Sequence, residues 1–241
     1  MKIKMRSWLI TLLFSLCLTN AHSQGSYPIV EWSPEYNTRN AKFDRILQAG
    51  ETGFFTYRKG TNSVLSGARD EYFAYYNRFD LSEEWLLKNP RWEWNGRKVV
   101  FKQGLMLGDI QFLFYESYHP QTDEKYLLVR TLDTLANLSE PKLIETFDSR
   151  RRFEGDFAIR ASHDGSKFAV FTAPPDQRGG SENFYVRVYS KNLEELWNAD
   201  IELTYADRNF NVLVFDLTNS GDIFVLSAFD SRFGIARTTG K

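Results

Sequence analysis

The sequence has little of the chemistry on which thiol and zinc enzymes depend. It contains one cysteine and three histidines in 241 residues. Cys17 and His22 lie in an N-terminal segment that we expect to be removed, which leaves His119 and His163. A zinc site usually takes three or four ligands, mostly Cys and His. We therefore predict no metal site built on these residues, no disulfide and no thiol catalysis.

Motifs for nucleotide binding and serine hydrolysis are also missing. The sequence has no Gly-x-Ser-x-Gly elbow, no Gly-x-Gly-x-x-Gly loop and no Gly-x-x-x-x-Gly-Lys-Ser/Thr loop. Its formal net charge is only −1, and no basic stripe or polybasic run suits nucleic acid or anionic lipid. We predict no catalytic residues, no cofactor and no nucleic-acid partner.

Long apolar runs are scarce, and the one at the N-terminus is too short to span a membrane. It covers residues 8–18, follows a basic start and precedes the small-x-small pattern Ala21-His22-Ser23. That order is typical of a secretory signal peptide, whereas a membrane helix needs about 20 apolar residues. We predict a signal peptide over residues 1–23. The mature chain, 24–241, should be exported to the periplasm, the outer cell surface or the medium, without a membrane span.

What the sequence does have is a repeat. Anchor glycines recur at a nearly constant spacing, and each stands at the start of an apolar, β-type run: Gly53, Gly108, Gly165 and Gly221. Similarity at a fixed period of this kind indicates an array of one supersecondary unit. A second anchor is the pair Leu81 and Trp85, which recurs as Leu193 and Trp197 at the same distance from the glycine of its unit. In the second unit Leu138 stands near the expected place, without a Trp.

Each unit can be divided into strands. In the third unit, alternating residues 157–162, a turn at Gly165 and the run 167–172 predict a hairpin, and 183–190 and 196–204 predict two further strands. Four antiparallel strands joined by turns and short loops form one propeller blade. We predict an all-β, propeller-like array of about 3.6 such blades and expect it to be incomplete. The units are 37–92, 93–149, 150–205 and a truncated 206–241.

Several segments resemble a known family. The stretch Ser162–Val170 is similar to the Ser-Pro-Asp-Gly-Lys turn of WD-like repeats in the periplasmic Tol-system propeller, with His163 in place of the proline. Together with residues 42–55, 188–207 and 220–226, it resembles secreted propeller-like proteins of unassigned function from Bacteroidetes. The resemblance implies a propeller fold, and members that tend to be longer than this chain. It implies no catalytic residues.

Two sets of residues are candidates for binding a ligand. Trp92 and Trp94 share one side of a predicted strand and could stack on sugar rings; the alternative is packing between the first two units. Asp207, Asn209 and Asn211 have the spacing of a calcium loop. However, Val212 stands where such a loop needs glycine, so we favour a polar connection between units.

With so little catalytic chemistry, the sequence predicts a non-enzymatic cell-envelope protein that binds a protein or glycan partner through its loops. One alternative is a polysaccharide hydrolase or lyase with its active site in the propeller channel. The other is a purely structural segment of a larger secreted protein.

Overall fold

The described part of the chain consists of β-strands joined by turns and loops, without a helix. The computed structural model describes residues 41–60, 70–149, 155–175, 181–206 and 210–229, all within the compact unit Pro34–Lys241. The predicted signal peptide lies outside these residues. No helix capable of crossing a bilayer occurs in the described ranges.

Three four-stranded antiparallel sheets follow one another in these ranges, each with its strands in chain order. Sheet I contains β1 Ala41–Ala49, β2 Gly53–Gly60, β3 Glu71–Asn77 and β4 Glu83–Lys88. Sheet II contains β7 Val100–Leu107, β8 Ile110–His119, β9 Glu124–Leu132 and β10 Lys142–Asp148. Sheet III contains β11 Asp156–Ala161, β12 Lys167–Ala173, β13 Ser181–Ser190 and β14 Glu195–Ala206.

Two hairpins complete the described strands. A short hairpin, β5 Glu93–Trp94 and β6 Arg97–Lys98, lies between sheets I and II in the chain. Hairpin IV, β15 Phe210–Leu217 and β16 Ile223–Phe229, follows sheet III. The all-β class and the four-stranded antiparallel units predicted from the sequence are thus confirmed for the described residues.

The sheets are stacked face to face because their strands are apolar on both sides. Along β8, Leu113 and Tyr115 pack with residues of sheet I, whereas Phe112 and Phe114 pack with residues of sheet III. All four side chains are at most 1% exposed. Side chains alternate between the two faces of a strand, so a strand buried on both faces is apolar throughout. Sheet II is therefore packed between sheets I and III.

Sheet III repeats this arrangement. Phe168 and Val170 of β12 pack toward sheet II, and Ala169 and Phe171 pack toward hairpin IV. Phe171 stacks on Phe215 of hairpin IV with ring centroids 5.3 Å apart. Burying each phenylalanine contributes about 1.5–3 kcal/mol, so these layers supply much of the stability of the stack.

Successive sheets come closest at their first strands. β1 lies against β7, β7 against β11, and β11 against β15. The first hairpin turns meet as well: a Cβ at Gly165 would be 3.7 Å from the Gly108 nitrogen, and Asn219 Oδ1 accepts a hydrogen bond of 3.0 Å from the Asp164 amide. We call the end of the sheets at which these turns meet the turn end.

The four anchor glycines meet two different requirements. Gly108, Gly165 and Gly221 have φ angles of +62°, +63° and +100°, and for Gly165 this confirms the turn predicted from the sequence. Gly53 differs, because it begins β2 and is not among the residues with positive φ. A Cβ there would lie 2.2 Å from the Tyr76 carbonyl oxygen. Gly53 is therefore required for space rather than for backbone conformation.

The leucines of the second anchor recur because their positions share a backbone conformation. Leu81 and Leu193 have φ angles of +58° and +63° in the turns before the fourth strands. In sheet II the equivalent residue is Ala136, with φ of +65°, which follows Gly108 at the same distance as Leu81 follows Gly53. The expected place of the second anchor is thus occupied by Ala136, two positions before the Leu138 that stands near it.

Candidate ligand-binding cleft

A cleft of about 750 Å³ lies at the end of sheet II opposite the turn end. Its lining comes from β6, the start of β7, the end of β8 with the turn that follows it, the start of β9, and the start of β11 with the residue before it: Arg97, Lys98, Val100, Glu116, Ser117, Tyr118, Pro120, Lys125, Gly155 and Asp156. We call this the cleft end. Antiparallel pairing puts the end of β8 beside the starts of β7 and β9, which is why residues distant in sequence meet here.

The centre of the charge arrangement is Lys102, which lies beside the cleft on β7. Its Nζ is 2.5 Å from Glu116 Oε1 within sheet II and 2.5 Å from Asp156 Oδ1 on β11. Burial opposes the positive charge, but hydrogen bonds to Asp156 and Glu116 outweigh it and raise the pKa of Lys102 above its ordinary value. Lys102 is thus a charged bridge between sheets II and III.

A second lysine makes a parallel bridge. Lys125 is 5% exposed, and its Nζ donates a 3.0 Å hydrogen bond to the Gly155 carbonyl oxygen. The same Nζ lies 3.7 Å from Glu116 Oε2. A lysine is rarely this buried unless it is paired. Glu116 therefore lies between two lysines, and both reach across to the segment that begins sheet III.

Arg97 and Lys98 contribute positive charge without such partners. They lie on β6, directly after the turn formed by Asn95 and Gly96, whose φ angles are +49° and +70°. Among the described residues neither side chain forms an ion pair, although both line the cleft. Within the lining, Arg97, Lys98 and Lys125 stand against Glu116 and Asp156. The lining therefore carries one net positive charge.

Trp94 ends β5 of the same short hairpin and Trp92 precedes that strand, and neither tryptophan lines the cleft. Both pack against the apolar layer between sheets I and II. Trp92 meets Tyr115 edge-on with ring centroids 5.3 Å apart, and the Arg130 guanidinium lies 5.7 Å from the Trp92 ring centroid. Both tryptophans are partly buried, and ligand stacking on them stays a prediction.

The calcium candidates are only partly described. Asp207 and Asn209 lie outside the described residues, and Asn211 belongs to β15. In the described ranges no group of three or more His, Cys, Asp or Glu side chains comes together as a metal site does. His119 ends β8, and exposed His163 lies in the β11–β12 turn. The two histidines are on different sheets and at opposite ends.

The ionic residues of the cleft were missed by the sequence analysis. Lys102, Glu116, Lys125 and Asp156 come from four different strands that belong to two sheets. A signal was present in β9, where Lys125 directly precedes an apolar run and would face inward in a buried strand. Such a lysine indicates a buried partner without identifying it.

No protein-family model and no curated protein matches the chain. Among solved structures, it is similar to the acylaminoacyl peptidase of Pyrococcus horikoshii in an orthorhombic crystal form, with 9% sequence identity and a TM-score of 0.42. The alignment covers 77% of this chain and 28% of the peptidase. A likeness at this level carries no functional conclusion.

Proposed function

We propose that this protein is a non-enzymatic, exported cell-envelope protein that binds a protein or glycan partner through the loops of a propeller-like scaffold. The observation that carries the proposal is the cleft beside the β8–β9 connection. Its volume of about 750 Å³ lies in the range of ligand-binding pockets. Its lining combines cations, carboxylates and one tyrosine, a mixture that suits a polar partner.

A propeller arrangement accounts for the way in which the sheets are stacked. Blades of a propeller radiate from a common axis, so their first strands are close and their last strands are apart. The close approaches of β1 to β7, β7 to β11 and β11 to β15 follow this pattern. The meeting of the first turns at one end supports it as well.

Export is part of the proposal. A basic start, a short apolar stretch and a small-x-small site precede Gln24. The sequence after residue 23 contains no cysteine, so it needs no disulfide and can form none in an oxidising envelope. Expression with the native N-terminus should give an exported protein that begins at Gln24, which N-terminal sequencing would show. Retention of residues 1–23 would contradict export.

The carboxylate pair favours one alternative, a polysaccharide hydrolase. Glu116 and Asp156 each contact Lys102 Nζ, so two of their oxygens lie within about 5 Å of each other, as in retaining glycosidases. Binding is favoured because the ammonium between them engages both carboxylates. Catalysis needs one of them free to transfer a proton.

A glycan array combined with a reducing-end assay separates these functions. Retention of a glycan without new reducing ends is the expected result for a binding protein. Cleavage that is lost in Glu116→Gln would establish the hydrolase instead. For a protein partner, the chain would be incubated with envelope extract, and capture should weaken when residues of the cleft are substituted. Capture that is independent of the cleft would contradict the proposed site.

A further inference from the structure

Arg97 and Lys98 are the charged cleft residues that take no part in joining sheets II and III. Lys102 and Lys125 bridge sheets II and III, and their charges are met by Glu116, Asp156 and a backbone carbonyl. Arg97 and Lys98 form no ion pair within the described ranges and make no cross-sheet bridge. Their positive charges are therefore available to something that enters the cleft.

The hairpin that carries these two residues is held firmly in place. Trp94 of β5 and the adjacent Trp92 pack into the apolar layer between sheets I and II. On the other side, Ser117 Oγ donates a hydrogen bond of 3.4 Å to the Lys98 carbonyl oxygen. Because the backbone is fixed, a ligand would lose little to the ordering of this hairpin.

The rest of the lining selects among anionic ligands. Glu116 and Asp156 would repel a ligand with uniformly dense negative charge, yet their oxygens can accept hydrogen bonds from hydroxyl groups. The Tyr118 ring and the aliphatic parts of Arg97 and Lys98 offer apolar surface to the C–H face of a sugar ring. A guanidinium binds carboxylate or sulfate through paired N–H groups. Hydroxyl-rich ligands with isolated acidic groups combine these properties.

We propose that the cleft binds an anionic oligosaccharide, with Arg97 and Lys98 contacting its uronate or sulfate groups and Glu116 and Asp156 accepting its hydroxyls. The inference rests on the proposed binding function and deepens it by naming the ligand class. An acidic peptide would use the same two cations but would leave the two carboxylates facing further carboxylates. The saccharide is therefore favoured.

Calorimetric titration of the full chain tests this with four probes: tetragalacturonate, a heparin tetrasaccharide, uncharged cellotetraose and a tetraglutamate peptide. We expect binding of tetragalacturonate or the heparin tetrasaccharide, at least tenfold tighter than of cellotetraose and tetraglutamate, and weakening as salt is raised. A preference between the first two would identify the anionic group as carboxylate or sulfate.

Two double variants test whether the ligand binds in the cleft. R97A/K98A should lose at least tenfold in affinity, whereas R78A/K191A removes the same charge at the turn end and should bind like the natural protein. The single change Lys98→Glu, at an exposed position, provides a charge reversal if the double variant folds poorly. Circular dichroism and thermal unfolding would check each fold.

The outcomes separate this inference from the broader proposal. Tight binding of cellotetraose that R97A/K98A leaves unchanged would overturn the anionic ligand and keep the glycan-binding function. Equal binding of tetraglutamate would overturn the saccharide. Equal losses in R97A/K98A and R78A/K191A would show that general electrostatic attraction, and not the cleft, causes binding. No heat with any probe would also overturn the inference, while leaving a protein partner open.

Discussion

The two ends of the sheets are built from the same strands but differ in the contacts between neighbouring units. At the turn end, short turns with glycines at positive φ bring successive units together, and the lysines that reach the next unit there, Lys142 and Lys167, donate to backbone carbonyl oxygens. At the cleft end, Lys102 pairs with carboxylates of both sheets, and an open cleft remains. Close packing between units and access for a ligand are therefore found at opposite ends of the sheets. An apolar layer connects the two.

The largest loss of stability should come from a substitution in the apolar layer between sheets II and III. Phe112 is fully buried between sheets II and III, and its ring centroid lies 5.7 Å from that of Phe168. Phe112→Ala should lower the free energy of unfolding by about 3–5 kcal/mol. Phe79→Ala, at a position 79% exposed, should change it by less than about 0.5 kcal/mol. Similar denaturation midpoints for the two variants would show that the layer does not hold the ends together.

Substitutions at the turn end should distinguish the glycine that is needed for space from the one that is needed for its positive φ. Gly53→Ala should cost about 1–3 kcal/mol, because its Cβ would meet the Tyr76 backbone. Gly108→Ala should cost about 1–2 kcal/mol, because of its φ of +62° with no atom within 4 Å. Asn tolerates positive φ, so Gly108→Asn should be milder than Gly108→Ala, whereas Gly53→Asn should be at least as costly as Gly53→Ala. Urea unfolding measures all four, and the same order at both sites would contradict this distinction.

At the cleft end, Lys102→Ala should cost about 1–2 kcal/mol, because Glu116 and Asp156 would lose their shared cation; their solvent exposure limits the cost. The raised pKa of Lys102 means that its ion pairs persist at neutral pH and are lost only as pH rises through that value. Lys142→Ala is the matched control, since this exposed lysine bonds a carbonyl near the turn end. K102M/E116Q should recover part of the loss in thermal unfolding. A loss equal to that of Lys142→Ala would contradict the bridge.

The smallest effect concerns acid stability at the turn end. A hydrogen bond from Ser162, helped by the Ser166 amide, lowers the pKa of Asp164 to about 2. The stabilising effect of a depressed carboxyl pKa is present above its ordinary value and is lost as pH falls through the folded value. Between pH 4 and pH 2, Asp164→Asn should therefore lose less in melting temperature than the natural protein. Asp109→Asn, a similar change in the sister turn, controls for net charge, and parallel acid profiles for all three proteins would refute the assignment.

The repeat made much of the fold predictable. Glycines at a nearly fixed period, with apolar runs after them, correctly predicted the all-β class and the four-stranded sheets in the described residues. Turn chemistry correctly predicted positive φ at Gly165. The steric requirement at Gly53 was not predicted, because a close approach to another strand has no local signature. Ala136 stands at the repeat distance from Gly108, but it lacks the leucine side chain that marks Leu81 and Leu193 in the sequence.

The candidate site was much less predictable. Aromatic residues drew attention to Trp92 and Trp94, which the fold places in an apolar layer beside Arg97 and Lys98. The chemically more informative residues, Lys102, Glu116, Lys125 and Asp156, are ordinary charged residues in sequence. Their role depends on their ion-pair and hydrogen-bond partners, which lie on other strands.

The repeat, the strands and most of the turns could be inferred from the sequence, because they depend on residues that are neighbours in the chain or one period apart. Which faces pack together, which glycines are needed for space, and where charged side chains meet became known only from the folded chain. Ion pairing and steric contact depend on distances between strands, and one-dimensional spacing contains no information on those distances until the sheets are stacked.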